Sequence, residues 1–308
     1  MWNLEKLKKY EIEGQSAITF GKFDGLHQGH MLLVEEVSRL AKKENLQSVV
    51  CAFDMQDFWK EKGRDLRVLM TKEERMRHLK GFVDHGVMFP FDWEFSQMKP
   101  EDFVKDIVAG LFHAKYVVVG PDFSFGKNKE GNTSMLRKLS GIYGFELIVI
   151  EKKRYQNHVI SSTYIRQVLK EGNINLVNAL LGYPFELSGL VAHGKQLGRT
   201  LGFPTINVMW PKVKIVPPKG VYMADVYLDG KKYHSVANIG VKPTVTKEHK
   251  LSIEAFLFDY SGDAYDKEVR IELLEFKRPE QKFDSVDLMK VQVDQDILYA
   301  KNFFPLQV

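Results

Sequence analysis

Short apolar runs alternate with helical periodicities along the first half of the chain. Residues 16–20, 48–53, 87–91, 115–119 and 145–150 are rich in Val, Ile and Phe and read as buried strands. Between them Leu33, Val37, Leu40 and Ala41 mark one helical face, and Leu136 and Leu139, after Thr133 and Ser134, mark another. Alternating strand and helix predicts an α/β doubly wound parallel sheet with helices on both faces. A helical tail follows, with Ile165, Val168 and Leu169 on one face and Gly172 near its end.

After "LLGYPFELSG" the pattern changes. "GVYMADVYLDGKKYHSVANIG" has two strand-like arms joined by "DGKK", a hairpin signal. "LSIEAFLFD" and "EVRIELLEF" are further strand candidates. Met289, Val293, Ile297, Ala300 and Phe304 then recur at helical spacing, with Asp284 or Ser285 as the cap. The second half therefore reads as a small antiparallel β-barrel closed by a C-terminal helix. The boundary falls near residue 184, giving domains 1–184 and 185–308.

The length of 308 residues suits two such domains. With 44 basic and 40 acidic side chains the net charge is +4, too small a bias to argue for a nucleic-acid or membrane partner. The single cysteine, Cys51, rules out an internal disulfide and reads as a small buried hydrophobe. No window has the length and apolarity of a membrane span, and the expected location is cytoplasmic. Oligomeric state is not legible.

Candidate chemistry concentrates in "GKFDGLHQGH", residues 21–30. A strand ending at Phe20 delivers this loop to the mouth of the sheet, where ligands bind in such architectures. Gly21 permits a sharp turn, and Gly29 leaves room for a phosphate against the backbone. A helix beginning near Gly29 presents free N–H groups and the positive end of its dipole. His27 and His30 add two donors, so the loop can hold a triphosphate and stabilise charge during attack at phosphorus. Two histidines that merely cap a helix are the plain alternative.

The H-x-G-H pattern at a first strand–helix junction resembles the Rossmann-type nucleotidylyltransferase superfamily, and the full "GKFDGLHQGH" resembles the N-terminal module of the bifunctional riboflavin kinase/FMN adenylyltransferases. "VVVGPDFSFGKNKEGN" resembles that family's flavin-side loop, and "ISSTYIRQVLKEGN" its Ser-Ser-Thr-x-Ile-Arg motif. On their own, Ser161, Ser162 and Thr163 are helix-capping residues, and Arg166 lies one turn in, where a guanidinium can meet phosphates. The resemblance implies that FMN phosphate attacks the α-phosphorus of ATP and that pyrophosphate leaves. It implies catalytic roles for His27, His30 and Arg166, nucleotide or phosphate contacts at Gly21, Asp24, Gly29, Ser161, Ser162 and Thr163, and flavin contacts at Asp122, Phe123, Phe125 and Asn132. Mg²⁺ would screen the triphosphate.

"AHGKQLGRTLGFPTINV" superficially suggests a Walker loop, but Gly194 and Gly198 enclose three residues rather than four and Arg199 stands where Lys is needed. The two glycines can still shape a phosphate loop. Thr205 and Asn207, two apart on a strand, put both oxygens on one side, where they can ligate Mg²⁺. This segment resembles the riboflavin kinase signature, and the strings that follow resemble the rest of that module. Glu254 matches the family's general base for the ribityl 5′-hydroxyl, and Arg278 matches an arginine lining the flavin site. Glu254 shares its strand face with Phe256 and Phe258, apolar company for a carboxylate.

Some positions depart from the family pattern. Phe53, Asp54, Met55, Gln56 and Asp57 replace a Phe-x-Pro-His-Pro stretch, Lys22 replaces the more usual Asn, Asn132 stands where Asp is common, Asp266 replaces Gly, and Val245 replaces Phe. Three readings stay open at this stage: a bifunctional enzyme using ATP, riboflavin and FMN; an enzyme with one working module, the adenylyltransferase; and a non-catalytic flavin- or nucleotide-binding regulator.

Overall fold

The computed structural model describes residues 4–63, 67–193, 205–243 and 249–304. Internal contacts divide the chain into two compact units, Met1–Ser162 and Thr163–Val308.

The first unit runs β1 (Ser16–Gly21), α1 (Gln28–Glu44), β2 (Gln47–Asp54), α2 (Gln56–Glu61), α3 (Lys72–Leu79), β3 (His85–Pro90), β4 (Ala114–Val119), α4 (Thr133–Tyr143) and β5 (Glu146–Val149). The five strands lie in the order β3-β2-β1-β4-β5, and every neighbouring pair is parallel. The chain moves from β1 to one edge and returns past it to β4, so the direction of winding reverses between β1 and β4, where such sheets open a crevice. Alternation along the strands explains the two covered faces. Ala17 and Val118 pack under α1 against Val37, Leu40 and Ala41. Ile18, Phe20, Val49, Cys51, Val117 and Val119 face a larger cluster on the other side. Cys51 is buried there, and burial pushes its thiol well up, so it is the inert hydrophobe expected. Between β3 and β4, Phe103–Leu111 is wound as a π-helix. The Phe112 N–H reaches back five residues to the Ile107 carbonyl at 3.0 Å.

Helices α5 (Ser162–Lys170) and α6 (Ile174–Leu181) lead into the second unit. The Asn178 side chain ties α6 to the sheet, donating to the Leu273 carbonyl at 2.9 Å and accepting from the Phe185 N–H at 2.8 Å. The sheet contains β6 (Phe185–Leu190), β7 (Thr205–Met209), β8 (Gly220–Leu228), β9 (Lys231–Pro243), β10 (His249–Leu257) and β11 (Glu268–Pro279). Its order is β6-β11-β8-β9-β10-β7, with antiparallel neighbours. Its two edge strands are brought together where Val191 bridges Val208 and the Ala192 N–H donates to the Asn207 carbonyl at 2.7 Å. That contact curls the sheet into the expected barrel. The hairpin between β8 and β9 turns at Asp229 and Gly230, both with positive φ (52° and 74°), as a two-residue "DG" turn requires.

The last helix, α7 (Val286–Phe303), is capped by the Ser285 hydroxyl, which accepts from the Leu288 N–H at 3.2 Å. Ala300 and Phe304 dock it on Val221 and Met223 of the barrel's outer face. Among the described residues, no helix is long and apolar enough to cross a membrane.

Candidate active sites

The first site forms where β1 ends. Gly21 leaves the sheet, and the chain then turns through three positive φ angles, at Phe23 (47°), Gly25 (85°) and Leu26 (34°). Two non-glycine residues accept this strained conformation because their side chains are anchored: Phe23 and Leu26 are completely buried. The Asp24 carboxylate is also fixed. Its Oδ1 accepts from the Leu69 and Met70 N–H groups at 2.9 and 3.3 Å and lies 4.0 Å from the Arg75 guanidinium. The residue read as a nucleotide contact is thus committed to holding the 69–71 loop against β1. Its carbonyl accepts from the Ser162 hydroxyl at 2.8 Å, which ties the start of α5 to the same turn. Ser162 is therefore a tether here, beyond the capping role its position suggested.

His27 is the N-cap of α1. Its backbone is extended and its Nδ1 accepts from the His30 N–H at 3.3 Å. With Nδ1 accepting, the ring proton belongs on Nε2, and that N–H is the group His27 offers a ligand. The His30 ring stacks on the His27 ring at 3.6 Å and 14°, and lies 5.2 Å from Phe23. Gly29 makes the arrangement fit: a Cβ there would come within 3.2 Å of the His27 ring and 3.6 Å of the Ile160 carbonyl. His30 Nδ1 is buried with no hydrogen-bond partner. Burial lowers the His27 pKa to about 4 and pushes His30 well below the usual range, helped by the nearby Arg75 and His27. Both imidazoles are therefore neutral at pH 7. The loop supplies aligned donors and a helix terminus, and the positive charge must come from elsewhere.

Beyond β4, Asp122 is exposed and paired with Lys152 at 2.7 Å. Phe123 stacks on Phe125 at 5.6 Å, and buried Phe125 packs on Phe103 at 5.4 Å. Gly131 lies so close to the Phe125 ring that a Cβ would sit 2.6 Å from it. Asn132, expected at the flavin, is the N-cap of α4, its Oδ1 accepting from the Met135 N–H at 3.0 Å. A cleft of about 510 Å³ opens beside that cap, lined by Pro121, Thr133, Ser134, Arg137, Lys138 and Val149. Its two cations were not singled out from the sequence, where they look like an ordinary solvated helix face. Thr163 and Arg166 lie in the first turns of α5, exposed and half-buried respectively, and are grouped with the second unit.

The second site lies on the outer face of the barrel. Asn207 of β7 is directly opposite Glu254 of β10, and on its other side Glu254 is opposite Asn238 of β9. Residues paired across an antiparallel ladder project to the same face. The carboxylate therefore has two carboxamides beside it across the ladder, in addition to Phe256 and Phe258 along its own strand. Thr205 stands one step along the same face, opposite Phe256. All four polar residues are half-buried, whereas Ala237, Ile253 and Ala255, on the opposite face, are completely buried. Asn238 was missed because its place beside Glu254 depends on cross-strand register, which one strand read alone does not reveal.

Thr205, Asn207 and Glu254 supply hard oxygen donors suited to a divalent cation. Among the described residues, no group of three or more His, Cys, Asp or Glu could hold a metal by itself. Gly194 and Gly198 lie outside the described residues, as does Val245.

Arg278 is placed differently from expectation. Its guanidinium grips Asp296 of α7, with Nε 3.1 Å from both carboxylate oxygens and Nη2 2.6 Å from Oδ2, so it fastens the helix to the barrel. Asp266, where glycine is usual, has φ 58° and donates its N–H to the Val191 carbonyl at 3.0 Å. The turn requires a left-handed residue, which glycine adopts freely and aspartate tolerates.

Comparison with known proteins assigns the two halves separately. Residues 9–164 match the family model for FAD synthetase, and residues 181–304 match that for riboflavin kinase. The chain is 35% identical over 299 residues to a "Bifunctional riboflavin kinase/FMN adenylyltransferase" of Buchnera aphidicola, covering 96% of this chain and 95% of the relative. It is 36% identical over 292 residues to the protein of the same name from Escherichia coli K12, covering 94% and 93%. A solved structure described as a macrolide-efflux protein from Streptococcus pneumoniae superposes with a TM-score of 0.85 at 30% identity, covering 96% of this chain and 97% of that one.

Proposed function

The chain belongs to the family of bifunctional riboflavin kinases/FMN adenylyltransferases, and on that premise we propose how its two sites divide the work. The enzyme phosphorylates riboflavin to FMN with ATP, then adenylylates FMN to FAD with a second ATP, releasing pyrophosphate. The kinase step belongs to residues 185–308 and the adenylyl transfer to residues 1–184.

In the kinase step Glu254 takes the proton of the ribityl 5′-hydroxyl as its oxygen attacks the γ-phosphorus and ADP leaves. Asn207 and Asn238 hold the carboxylate between them. Mg²⁺ fits Thr205 and Asn207, whose oxygens share a sheet face beside Glu254, and when bound it neutralises phosphate charge. Gly194 and Gly198 shape the loop over those phosphates. In the transfer step a phosphate oxygen of FMN attacks the α-phosphorus of ATP, the bond to the β-phosphate oxygen breaks, and pyrophosphate departs. His27 and His30, with the α1 terminus, donate to the phosphate oxygens as charge redistributes, and Arg166 meets the β- and γ-phosphates. Gly21, Gly29 and Ser161 to Thr163 shape the nucleotide cradle, Asp24 holds its turn, and Asp122, Phe123, Phe125 and Asn132 border the flavin. Arg278 serves the kinase flavin site by fixing α7. Magnesium, ATP and flavins are the small molecules of this reading. No nucleic acid or membrane enters it, and it places the reaction in the cytoplasm.

The observation that carries the assignment is the Asn207–Glu254–Asn238 row, a candidate base framed by carboxamides on the half that matches riboflavin kinase. The test incubates the protein with ATP, Mg²⁺ and either riboflavin or FMN and resolves the flavins by chromatography. Riboflavin should give FMN and FAD. Glu254→Ala should abolish FMN formation and spare FAD formation from supplied FMN, and His30→Ala should do the reverse. Equal loss of both activities in either variant would refute the division of labour.

A further inference from the structure

One buried hydroxyl of the parallel sheet differs from the others. Ser16 donates to the Phe112 carbonyl at 2.6 Å, and Ser48 to the Asp84 carboxylate at 2.6 Å. Thr19, in the middle of β1, is completely buried, and its Oγ1 has no hydrogen-bond partner among the described residues. Its ladder neighbours are Val50 on β2 and Val118 on β4, both completely buried. Packing alone would favour a third valine there, with no polar atom to desolvate. Side chains alternate along a strand, so Thr19 faces the same way as Ala17, towards α1. On α1, His30, Val34, Val37 and Ala41 follow one another by four, three and four and form one stripe. Val37 and Ala41 of that stripe pack with Ala17 and Val118. Because β1 and β2 are parallel, α1 runs back antiparallel to β1, and its first turn lies towards the strand's C-terminal end. His30 therefore heads the stripe on the Thr19–Gly21 side of Ala17. Its Nδ1 is a second buried polar atom of this layer without a hydrogen-bond partner among the described residues. Around the ring stand His27, stacked at 3.6 Å, Phe23 at 5.2 Å, and Arg75, close enough to oppose a charge on it.

We propose that Thr19 is a positioning residue for adenylyl transfer: through one bridging water its hydroxyl supplies a hydrogen bond to His30 Nδ1, which holds that imidazole in the tautomer with its proton on Nε2. The proposal rests on the function assigned to the first unit above. A neutral imidazole has one donor and one acceptor nitrogen, and the hydrogen bond made at one settles the other. With Nδ1 accepting, Nε2–H is the donor that His30 turns to a phosphate oxygen. With the proton on Nδ1, Nε2 would meet the phosphates with a lone pair and oppose the charge it has to stabilise. His27 meets the same requirement locally, since its Nδ1 accepts from the His30 N–H. His30 Nδ1 has no such backbone donor among the described residues, and a bridging water is the common way of joining buried polar atoms inside a packed layer. The hydroxyl at residue 19 thus serves the ring on the facing helix, where a valine would serve only the sheet.

The test uses the full-length protein and two readouts. Ring-nitrogen NMR of histidine-labelled protein at pH 7 should show His30 protonated on Nε2 in the wild type, with a substantial Nδ1-protonated share in Thr19→Val; the signal that vanishes in His30→Ala identifies the ring. In steady state with ATP and FMN, Thr19→Val should lower kcat by about tenfold and leave KM for both substrates within about twofold, with the riboflavin kinase rate unchanged. Thr19→Ser, which restores the hydroxyl, should recover most of the turnover. Thr19→Ala should show the same kinetic split as Thr19→Val, which keeps the test open if the second methyl of valine crowds the layer. The unfolding midpoint of Thr19→Val should stay close to that of the wild type, since valine suits a buried strand. A transfer kcat within about twofold of wild type in both Thr19→Val and Thr19→Ala would overturn the proposal. So would a loss that Thr19→Ser does not relieve, a wild-type His30 protonated on Nδ1, or a tautomer that Thr19→Val leaves unchanged. If the wild-type protein forms no FAD, the function assigned to the first unit fails, and the ring-nitrogen spectra alone decide: a tautomer shifted by Thr19→Val upholds the positioning role, and an unshifted one rejects it.

Discussion

Acidification should destabilise the first unit through His27, by an amount the structure sets. His27 is 5% exposed, and its pKa is lowered to about 4 from an unfolded value near 6.5. Because the folded value is the lower one, the unfolded chain binds the proton first. Stability is full above pH 6.5 and is lost as pH falls from 6.5 towards 4. At pH 5 the unfolded imidazole is almost fully protonated and the folded one about a tenth protonated, a linkage of about 2 kcal/mol. For a unit of this size that lowers the melting temperature by about 4–8 °C between pH 7.5 and pH 5. His30, pushed down in the same direction, adds to the wild-type loss. The perturbation that isolates His27 is His27→Asn, since Asn keeps an N-cap acceptor for the His30 N–H and has no titrating ring. Calorimetry at the two pH values should show the variant losing less than the wild type by about 2 kcal/mol. The ring's own proton resonances should titrate near pH 4, and a bound ATP analogue should move that midpoint up. Parallel losses in the two proteins, together with a midpoint near 6.5, would refute the claim that the site holds a neutral imidazole.

Two further changes probe the barrel. Arg278→Ala leaves the buried Asp296 carboxylate without its guanidinium and should cost about 3 kcal/mol in denaturant unfolding, while Arg278→Met with Asp296→Leu should recover most of it. Gly220→Ala should destabilise by about 3 kcal/mol or more, because φ is +149° there and a Cβ would collide with the Arg278 carbonyl; soluble yield and the unfolding midpoint are the measures.

Much of the architecture was legible because it rests on short-range patterns. The apolar runs at 16–20, 48–53 and 115–119 are buried on both sheet faces, and such strands advertise themselves as continuous Val, Ile and Phe. The "DG" turn and the Ser285 cap were equally local. What escaped depends on partners distant in sequence. Asn238 stands beside Glu254 only through the β9–β10 register, and Asp24 meets Leu69 across a long loop. Arg278 reads from sequence as a ligand-binding arginine, and its pairing with Asp296 of α7 is not visible there. Asn132 has the same ambiguity, since a side chain able to bind a ligand is equally able to cap a helix.

The two reactions explain why the sites differ in kind. A flavin phosphate is already an anionic nucleophile at pH 7, so adenylyl transfer needs orientation and donors but no base. On the roles proposed above, neutral stacked imidazoles at a helix terminus meet that need, and burial keeps them neutral. The ribityl hydroxyl is a weak nucleophile until its proton is taken, so the kinase step needs a carboxylate that stays ionised. A strictly apolar setting would raise that carboxylate's pKa and stabilise its protonated form. Half-buried carboxamides on both neighbouring strands answer the difficulty: they can donate to the anion while keeping it on a rigid ladder. On this argument Asn238→Leu should lower kinase turnover more than it weakens riboflavin binding, since the carboxamide it removes stands opposite the proposed base in the ladder. A rise confined to KM for riboflavin, with kcat intact, would place Asn238 at the substrate instead.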